Sequence, residues 1–504
     1  MQFNFIANTS VPSSSGQTIA VVDPSDGQAY DEIQRSNASD IDQAVRAARR
    51  GFDSAWSKLG AAERGRLLMR LSQKVTEHAQ ELSAIEQRDC GKPTKQANAD
   101  ASALARYFEF YAGACDKLHG ETIPYLDGYS VLTWREPHGV TGHIVPWNYP
   151  MQIFGRSVGG ALAAGNVCVV KPAEDACLSL IRVAQLAAEV GFPAGVINIV
   201  TGYGHEVGDA LVRHSGIDHI SFTGSPTVGT LIQQVAAERH CPVTLELGGK
   251  SPTIVDASAN LKLAASNIMW AKFANSGQTC IAPDYVYVHE SVKAQWVECC
   301  RVELARAYGA TLSDQQGSPH LAHMVNARHT TRVKALLDDA KAGGAQTLVG
   351  GAVVESACFI QPTLLDSIAA DARIMDEEIF GPLLPVIGYS QIDQVIASIN
   401  AGPKPLALYI YSQTNANIDK VLTQTSSGGA CVNHSLMQFL HGNLPFGGVN
   451  NSGIGNAHGH YGFKTFSHER GVVRTQFSLA ATLFKAGEIP PIIRKLIKSA
   501  FRML

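Results

Sequence analysis

The sequence lacks long hydrophobic runs and lacks an excess of charge of either sign. No stretch of about 18 or more uninterrupted apolar residues occurs, so no segment is predicted to span a membrane. The 504 residues include 41 lysines and arginines against 44 aspartates and glutamates, a formal net charge of −3. A chain so close to neutral has no electrostatic basis for binding nucleic acid. Membrane-spanning and nucleic-acid-binding proteins are therefore not among the expected classes.

Cysteine is present, but not in the spacings that bind metal or build a disulfide framework. The ten cysteines are spread over the chain without a C-x-x-C pair or a His/Cys cluster, and Cys299 and Cys300 are adjacent. No metal site is predicted. The N-terminus also lacks the basic region and apolar run of a signal peptide. These absences favour a reducing, cytoplasmic setting.

Apolar patterning divides the chain into a helical start and a longer α/β region. A helix is predicted over residues 39–58, with Ser39 as N-cap and Asp42 three residues later. Further along, short apolar runs such as 167–170 and 196–200 alternate with about 15 to 20 residues of helical pattern. This alternation is typical of βαβ units and a buried parallel sheet. A chain of this length exceeds one compact core, so two or three domains are expected.

Three later segments have patterns of their own. A second α/β block is predicted from residue 252 to about residue 449, and the alternating segment 129–134 is predicted to be a strand. Residues 490–504 combine an apolar stripe with basic residues on the opposite side, which predicts a basic amphipathic helix. Packing of this helix on its own subunit or a neighbour is favoured over contact with a membrane surface, because one short helix anchors weakly.

Three short segments contain residues suited to acyl chemistry. Cys280 ends the glycine-flanked segment Gly277-Gln278-Thr279-Cys280, Glu246 precedes a Gly-Gly turn, and Asn148 follows a Pro-Trp pair. A thiolate attacks a carbonyl carbon, an amide N–H stabilises the resulting oxyanion, and a carboxylate activates water. Each residue alone has an ordinary structural alternative: a core cysteine, an asparagine that closes a turn, or a helix-capping acid.

These segments and four others resemble the NAD(P)-dependent aldehyde dehydrogenase superfamily over nearly the whole chain. The seven motifs are Pro146-Trp147-Asn148, Lys171-Pro172-Ala173-Glu174, Phe222-Thr223-Gly224-Ser225, Glu246-Leu247-Gly248-Gly249-Lys250, Gly277-Gln278-Thr279-Cys280, Glu378-Ile379-Phe380-Gly381-Pro382 and Pro445-Phe446-Gly447-Gly448. The resemblance implies an α/β fold with a Rossmann-like cofactor-binding domain, an α/β catalytic domain and a small β oligomerisation arm. It places the cofactor-binding domain at residues 1–118 and 138–249, the catalytic domain at 250–449, and the arm and C-terminal tail at 119–137 and 450–504.

The resemblance also implies a two-step oxidation of an aldehyde to a carboxylic acid. Cys280 would form a thiohemiacetal, with Asn148 and the backbone N–H of Cys280 binding the oxyanion, and a hydride would leave to NAD. Glu246 would then activate water to hydrolyse the thioester, and its apolar and glycine neighbours are expected to raise its pKa. Relatives that pass the acyl group to coenzyme A generally lack this glutamate. The alternatives are a semialdehyde or coenzyme-A-acylating enzyme, or a non-catalytic member of the superfamily.

Cofactor contacts are implied mainly at the ends of the first-block strands. The segment 224–229 precedes a predicted helix whose N-terminus would face a pyrophosphate. Lys171 and Glu174 belong at the adenosine ribose, where a carboxylate would repel the 2′-phosphate of NADP. NAD is therefore expected, with NADP as the alternative, because some members with an equivalent glutamate use both. The glycines from Gly202 to Gly208 have one residue too many for the dinucleotide fingerprint. The full cofactor set implied is Ile144, Pro146, Trp147, Lys171, Glu174, Gly204, Gly208, Phe222, Gly224, Ser225, Leu247, Gly248, Glu378 and Phe380.

The implied substrate pocket is mostly apolar, which favours a medium- or long-chain aliphatic or an aromatic aldehyde. Its exception, Arg156, is expected to form a structural ion pair rather than to bind an acidic group of the substrate. The C-terminal half is closest to the class-three and fatty-aldehyde branch, whereas residues 1–40 resemble the longer class-one and class-two enzymes. The expected oligomeric state is therefore either a homodimer or a homotetramer. The predicted pocket residues are Tyr149, Ile153, Arg156, Thr279, Ile281, Phe439 and Phe446.

Overall fold

The computed structural model describes residues 1–125, 128–475, 491–500 and 502. Its strands are β1 (Asn4–Ile6), β2 (Thr9–Val11), β3 (Thr18–Val22), β4 (Ala29–Gln34), β5 (Thr122–Ile123), β6 (Tyr129–Pro137), β7 (Val140–Val145), β8 (Val167–Pro172), β9 (Ile197–Ile199), β10 (His219–Gly224), β11 (Val243–Leu247), β12 (Pro252–Val255), β13 (Tyr285–His289), β14 (Gln346–Val349), β15 (Val353–Val354), β16 (Phe359–Ile360), β17 (Thr363–Asp366), β18 (Leu383–Tyr389), β19 (Ala407–Tyr411), β20 (Gly429–Val432), β21 (Gly453–Ile454) and β22 (Ser467–Thr475). Its α-helices are α1 (Ala38–Ser54), α2 (Ala61–Glu77), α3 (Ala79–Cys90), α4 (Thr94–Ala114), α5 (Pro150–Ala163), α6 (Leu178–Glu189), α7 (Asp209–Arg213), α8 (Pro226–Ala237), α9 (Leu261–Phe273), α10 (Glu290–Tyr308), α11 (Leu312–Gln316), α12 (Ala327–Ala342), α13 (Arg373–Asp376), α14 (Ile392–Ala401), α15 (Asn415–Gln424), α16 (Met437–Leu440), α17 (Gly459–Thr465) and α18 (Pro491–Ala500).

The first large sheet has the strand order β2-β1-β9-β8-β7-β10-β11-β21. Its five central strands, β9 to β11 in that order, are parallel, and antiparallel strands lie at both edges. Residues 167–170 of β8 are wholly buried, since helices pack on the sheet, and this explains the continuous apolar run in the sequence. Strand β21 comes from the stretch predicted as arm and tail, yet its Gly453 pairs with Glu246. The end of β11 is therefore held by a strand on each side.

A second large sheet and a small three-stranded sheet follow. The second has the order β14-β17-β18-β13-β12-β19-β20, and only β14 is antiparallel. In the small sheet, β22-β6-β5, strands β6 and β22 pair from Tyr129 with Thr475 to Pro137 with Ser467. The strand predicted at 129–134 thus exists and extends further. Val473 in this sheet is 61% exposed. The expected role of the sheet as an oligomerisation arm, in which a second copy of the chain would cover this surface, stays a prediction.

The start of α1 differs from the prediction in its capping residues. Asn37, not Ser39, is the N-cap, and its side chain accepts a hydrogen bond from Ser39 N. Asp40 completes the capping box by accepting from Asn37 N at 2.9 Å. Ser39 and Asp42 have the same spacing as Asn37 and Asp40. Asn37 and Asp40 form the cap because Asp40 also accepts a hydrogen bond from Ser14 N at 2.9 Å, a tertiary contact that local sequence does not reveal.

The predicted basic helix near the C-terminus is present as α18. Ile492 is 72% exposed and Leu496 is 66% exposed. Among the described residues, no buried hydrophobic cluster includes a residue of this helix. Its packing partner therefore stays a prediction, and the remainder of 490–504 lies outside the described residues. Among the residues described, no helix combines the length and apolar character needed to cross a membrane.

Two histidines of the first sheet are buried in its core. His143 in β7 and His219 in β10 each bond a threonine hydroxyl, at 2.8 Å from Thr141 and 3.1 Å from Thr244. Burial lowers the pKa of His143 to about 3 and lowers that of His219 well below its usual 6.5. Both rings are therefore neutral in the folded protein at every pH above the acid range.

Acid is expected to destabilise the protein through His143. The unfolded state binds a proton below pH 6.5 whereas the folded state resists protonation down to about pH 3, so stability falls as pH drops between these values. At pH 4 this loss amounts to roughly 3 kcal/mol. His143→Gln removes the titrating ring, and thermal melts from pH 7 to pH 4 should show a smaller drop in Tm than wild type. Parallel pH dependences in the two proteins would refute this assignment.

Candidate active site

The predicted catalytic segments meet at the carboxyl ends of the first-sheet strands. Asn148 follows β7, and Pro150 two residues later is the first residue of α5, where a proline needs no N–H partner. Glu246 lies in the neighbouring region of the sheet, at the end of β11. Cys280 reaches the same edge from the other block, on the loop between α9 and β13. Parallel strands commonly present site residues at this edge.

The loop that carries Cys280 has a strained backbone. Asn275, Ser276 and Gly277 are successive residues with positive φ, at 50°, 55° and 74°. A Cβ on Gly277 would lie 2.3 Å from the carbonyl oxygen of Gly381, so this position requires glycine. The buried side chain of Gln278 holds the loop, since it donates to the carbonyl of His323 at 3.1 Å and accepts from Val325 N at 3.0 Å. Such strain persists only where the surroundings enforce it.

Asn148 is hydrogen-bonded to this loop in both directions. Its Nδ2 donates to the backbone carbonyl of Gln278 at 3.1 Å, and its backbone carbonyl accepts from Asn275 Nδ2 at 3.0 Å. A side-chain amide has two N–H donors, so one donor of Asn148 remains for a ligand. The amide is 5% exposed and lines the same cavity as Cys280. The two predicted residues are therefore adjacent.

That cavity has a volume of about 660 Å³. Its lining includes the catalytic candidates Asn148 and Cys280 and six of the seven predicted pocket residues, namely Tyr149, Ile153, Arg156, Thr279, Ile281 and Phe439. Phe446 is the exception, because it is buried behind Phe439, with the two rings edge-to-face at 5.1 Å. Glu246 is also absent from the lining. The carboxylate and the cysteine are near one another without facing the same open space.

One wall of the cavity is polar, which the sequence did not indicate. Gln96 and Asp100 of α4 and Gln152 of α5 line it. Gln96 donates to the hydroxyl of Tyr149 at 3.0 Å, and that hydroxyl lies 2.9 Å from the hydroxyl of Thr279. Gln152, one helical turn before Arg156, could have been found from spacing in α5. The α4 residues have no local motif and reach the site only through the fold.

Beneath this wall, Lys92 is buried between two carboxylates. Its ammonium lies 2.6 Å from Glu86 and 2.6 Å from Asp100, and 4.3 Å from the centre of the Tyr149 ring. Burial raises the pKa of Glu86 to about 8, against the lowering effect of Lys92. Asp100 in turn accepts from Gln152. This network fixes the ring of Tyr149 against the Cys280 loop.

The thiol of Cys280 is protonated in this arrangement. Burial raises its pKa to about 12, Arg156 acts in the opposite direction, and the carboxylates Glu246 and Glu378 raise the pKa further. The predicted acyl chemistry requires a reactive thiolate, and the residues around the sulfur do not by themselves supply one. Thiolate formation in this site therefore needs further positive charge or a proton acceptor.

Glu246 is buried and paired with Arg156. The guanidinium contacts the carboxylate, and the two side chains are 2% and 7% exposed. Burial raises the pKa of Glu246, as expected from its neighbours, while the arginine lowers it. Arg156 thus forms the predicted ion pair, and its partner is the proposed catalytic carboxylate. Phe446 lies beneath the guanidinium, with its ring centre 4.8 Å from Cζ.

Most of the predicted cofactor residues lie at the carboxyl ends of β7, β8, β9, β10 and β11 or in the segments that follow, and this region is named the predicted cofactor groove. Ser225 caps α8 by accepting from Val228 N, and the first turn of this helix is largely exposed. Val228 and Leu231 expose apolar surface beside it, at 43% and 57%. The buried ammonium of Lys171 lies 2.9 Å from the carboxylate of Glu174. The remaining predicted residues of these strands and turns are Ile144, Pro146, Gly204, Gly208, Phe222, Gly224 and Leu247, and Gly208 lies against Ile144.

The other end of the groove brings Glu378 to Gly248. A Cβ on Gly248 would lie 2.0 Å from a carboxylate oxygen of Glu378, so a larger residue here would displace this carboxylate. Burial raises the pKa of Glu378 to about 8, and a hydrogen bond from the backbone of Gly249 opposes the rise. Phe380, with φ of 45°, packs edge-to-face on Trp147 at 5.5 Å. The predicted cofactor residue Phe380 is thus adjacent to the Pro146-Trp147-Asn148 segment.

The chain resembles known aldehyde dehydrogenases over most of its length. Residues 11–472 match the aldehyde dehydrogenase family model. The chain is 36% identical over 468 residues to the mitochondrial benzaldehyde dehydrogenase of Antirrhinum majus, covering 92% of this chain and 87% of that protein. It shares 50% identity and a TM-score of 0.88 with the structure of a protein of Burkholderia cenocepacia assigned as an aldehyde dehydrogenase, covering 94% and 100%. It shares 34% identity and a TM-score of 0.89 with the NAD+ complex of the Bacillus cereus aldehyde dehydrogenase, covering 94% and 96%. The predicted fold is confirmed, and the chain belongs to the aldehyde dehydrogenase family.

Proposed function

We propose that the protein oxidises an aldehyde to its carboxylic acid with NAD, through a thioester on Cys280. The observation that carries this proposal is the shared cavity of Cys280 and Asn148, joined by the 3.1 Å hydrogen bond from Asn148 to the cysteine loop. This arrangement supports the action of a nucleophile and an amide donor on one bound carbonyl group. The buried carboxylate of Glu246 nearby supplies a base for a second step.

In the first half-reaction, the thiol of Cys280 gives its proton to water, and the resulting thiolate adds to the carbonyl carbon. The free N–H of Asn148 and the backbone N–H of Cys280 donate to the oxygen as it becomes negative, and one such donor contributes roughly 3 kcal/mol. NAD, when bound, would supply the acceptor for the hydride that leaves the carbon. Collapse of the oxyanion then leaves a thioester on Cys280. The strained loop serves this step by holding the sulfur rigidly against the cavity.

In the second half-reaction, Glu246 takes a proton from water, and the water oxygen attacks the thioester carbon. The C–S bond breaks, the carboxylic acid leaves, and the proton held by Glu246 passes to the sulfur, which becomes a thiol again. A base with a raised pKa suits this step near neutral pH. Because the chain has this carboxylate, hydrolysis is preferred over transfer to coenzyme A.

Several features of the predicted cofactor groove support NAD as the cofactor. The exposed first turn of α8 offers N–H groups and a positive dipole to a pyrophosphate. The apolar surface of Val228 and Leu231 suits a flat adenine ring. Lys171 and Glu174 would hold the adenosine ribose, and Glu378 the ribose next to the nicotinamide. The Bacillus cereus homologue, of known structure with NAD+, supports the same cofactor here.

The cavity supports an aromatic or extended aliphatic aldehyde with some polar character. Ile153, Ile281 and Phe439 provide apolar surface, whereas Gln96 and Gln152 provide amide groups at one wall. The Antirrhinum homologue acts on benzaldehyde, which supports an aromatic substrate. Arg156 is already paired with Glu246, so an acidic substrate group would have to displace that carboxylate. Acidic semialdehydes are therefore the less favoured class.

Formation of NADH at 340 nm tests this function. Purified protein is given NAD without coenzyme A and a panel of aromatic, aliphatic and acidic aldehydes. Turnover with the aromatic and aliphatic members, together with stoichiometric carboxylic acid by chromatography, would support the proposal. NADH formation that requires coenzyme A would instead indicate an acylating enzyme. Binding of NAD without turnover on any aldehyde would indicate a non-catalytic member.

Glu174 is expected to make the enzyme prefer NAD over NADP. Its carboxylate would accept from the ribose hydroxyls and repel a 2′-phosphate, so kcat/KM with NAD should exceed that with NADP by about tenfold or more. Glu174→Gln should narrow this ratio several-fold, mainly through the KM values of the two cofactors. Glu77→Gln on α2 is the matched control, because Glu77 is exposed and lies outside the groove. An unchanged ratio in Glu174→Gln would refute the assignment.

A further inference from the structure

Arg156 is an unusual residue for the wall of a mostly apolar cavity. It lies on α5 among residues that are all buried, and it lines the cavity together with Cys280. A buried guanidinium requires compensation, because taking a charge out of water is costly. The compensation comes from Glu246, 90 residues further along the chain, and from the faces of Phe446 and Phe439. The cation therefore lies between the cavity and the carboxylate.

The guanidinium is only partly satisfied. One terminal nitrogen contacts Glu246, whereas Nε is buried and has no hydrogen-bond partner among the described residues. An arginine that donates two parallel hydrogen bonds to a carboxylate would form a purely structural ion pair. The contact through one nitrogen holds the carboxylate of Glu246 less firmly than two hydrogen bonds would, so the carboxylate can move away from Arg156. The same cation acts electrostatically on Cys280, whose thiolate it favours.

The surrounding titratable groups do not neutralise the pair. Tyr107 and Tyr111 of α4 face it, and burial raises the pKa of both phenols above the usual value. His458, next to α17, also faces it, and burial with the charge of Arg156 lowers its pKa well below 6.5. All three side chains are uncharged at neutral pH. The charges that act on Cys280 are then Arg156 on one side and the carboxylates Glu246 and Glu378 on the other.

We propose that Arg156 is a positioning residue that holds Glu246 ionised and withdrawn from the cavity while Cys280 attacks, and releases it for the hydrolytic step. This inference rests on the proposed function of Cys280 and Glu246. Withdrawal matters in the first step, because a carboxylate free in the cavity would oppose a thiolate. Release matters in the second step, because a carboxylate bound to a guanidinium is a poorer base. When the carboxylate leaves, the positive charge remains beside the sulfur and its acyl group.

Alkylation of Cys280 by iodoacetamide tests the electrostatic half of this proposal without substrate or cofactor. The rate is followed by peptide mass spectrometry between pH 6 and pH 10, so that the other cysteines are resolved. Arg156→Met should slow alkylation of Cys280 at pH 8 by about tenfold for each unit by which the thiol pKa rises. Glu246→Gln should accelerate it, because the carboxylate is removed and the cation remains. Arg156→Lys should restore most of the wild-type rate.

Two further variants guard against misfolding as the cause. The double variant Arg156→Met/Glu246→Gln removes both charges of the pair, a change that buried ion pairs tolerate better than loss of one partner. Its alkylation rate should lie between those of the single variants. Arg64→Met removes another poorly exposed arginine, far from the cysteine, and should leave the rate unchanged. Equal rates in all variants, or shifts of the same sign in Arg156→Met and Glu246→Gln, would overturn the proposal.

The hydrolytic half is tested with p-nitrophenyl acetate, an activated ester that acylates a thiol directly. The pH at which deacylation reaches half its maximal rate should rise in Arg156→Met, because Glu246 loses the cation that keeps it ionised. An unchanged pH profile would contradict a positioning role. Failure of the proposed function is a separate result: oxidation of aldehydes by Cys280→Ala would refute it, whereas the alkylation rates would still report on Arg156.

Discussion

Replacing Cys280 with alanine is expected to abolish NADH formation from aldehydes, with a loss in kcat/KM of about 10⁴-fold or more. The sulfur forms the covalent intermediate, and the described residues place no second thiol in the 660 Å³ cavity. Without it, a bound aldehyde has no nucleophile to raise the carbon to the tetrahedral state from which hydride leaves. Steady-state rates at 340 nm, with NAD saturating, measure the effect.

The control for this variant is Cys299→Ala. Cys299 is a half-buried cysteine of α10 that does not line the cavity, so its replacement should leave kcat/KM within about twofold of wild type, as for ordinary substitutions away from a site. Binding of NAD by calorimetry should be unchanged in both variants, since neither side chain belongs to the groove. Activity retained in Cys280→Ala would remove the thioester mechanism altogether.

Sequence alone was sufficient where the information is local. The buried run 167–170 predicted a central parallel strand, because only a strand covered on both faces has such continuous apolar character. The segment Gly277-Gln278-Thr279-Cys280 predicted a loop in which glycine is needed. In the structure Gly277 has a positive φ and lies close to the backbone of Gly381. In each case neighbouring residues determine the geometry.

Long-range contacts set the limit of this reasoning. The pair of Arg156 and Glu246 joins residues of α5 and β11, and nothing in either segment names the other as partner. The polar wall from Gln96 and Asp100 depends on how α4 packs on α5. The capping of α1 by Asn37 rather than Ser39 depends on Asp40 bonding Ser14. The raised pKa of Cys280 is likewise a consequence of burial, which the fold creates.

Replacing Glu246 with glutamine is expected to separate the two half-reactions. Cys280 and Asn148 remain intact, so each active site should still release one NADH as its thioester forms. Hydrolysis should then slow by about 10³-fold, because glutamine cannot accept a proton from water. Rapid-mixing traces at 340 nm should show a burst close to one equivalent followed by a slow phase. Intact-protein mass spectrometry should detect the acyl group on Cys280.

Asp218→Asn is the matched control, because it also removes a carboxylate that pairs with an arginine, Arg49, at a nitrogen to oxygen distance of 2.5 Å. Asp218 precedes β10 at the amino end of the sheet, opposite the site, so its loss should leave burst and steady state unchanged. Loss of the burst itself in Glu246→Gln would mean that the carboxylate acts before hydride transfer. Unchanged turnover would mean that another group activates water. The predicted outcome, a full burst with arrested turnover, requires both that the thiol reacts without Glu246 and that the thioester waits for it, which is the order of events that a carboxylate held behind Arg156 implies.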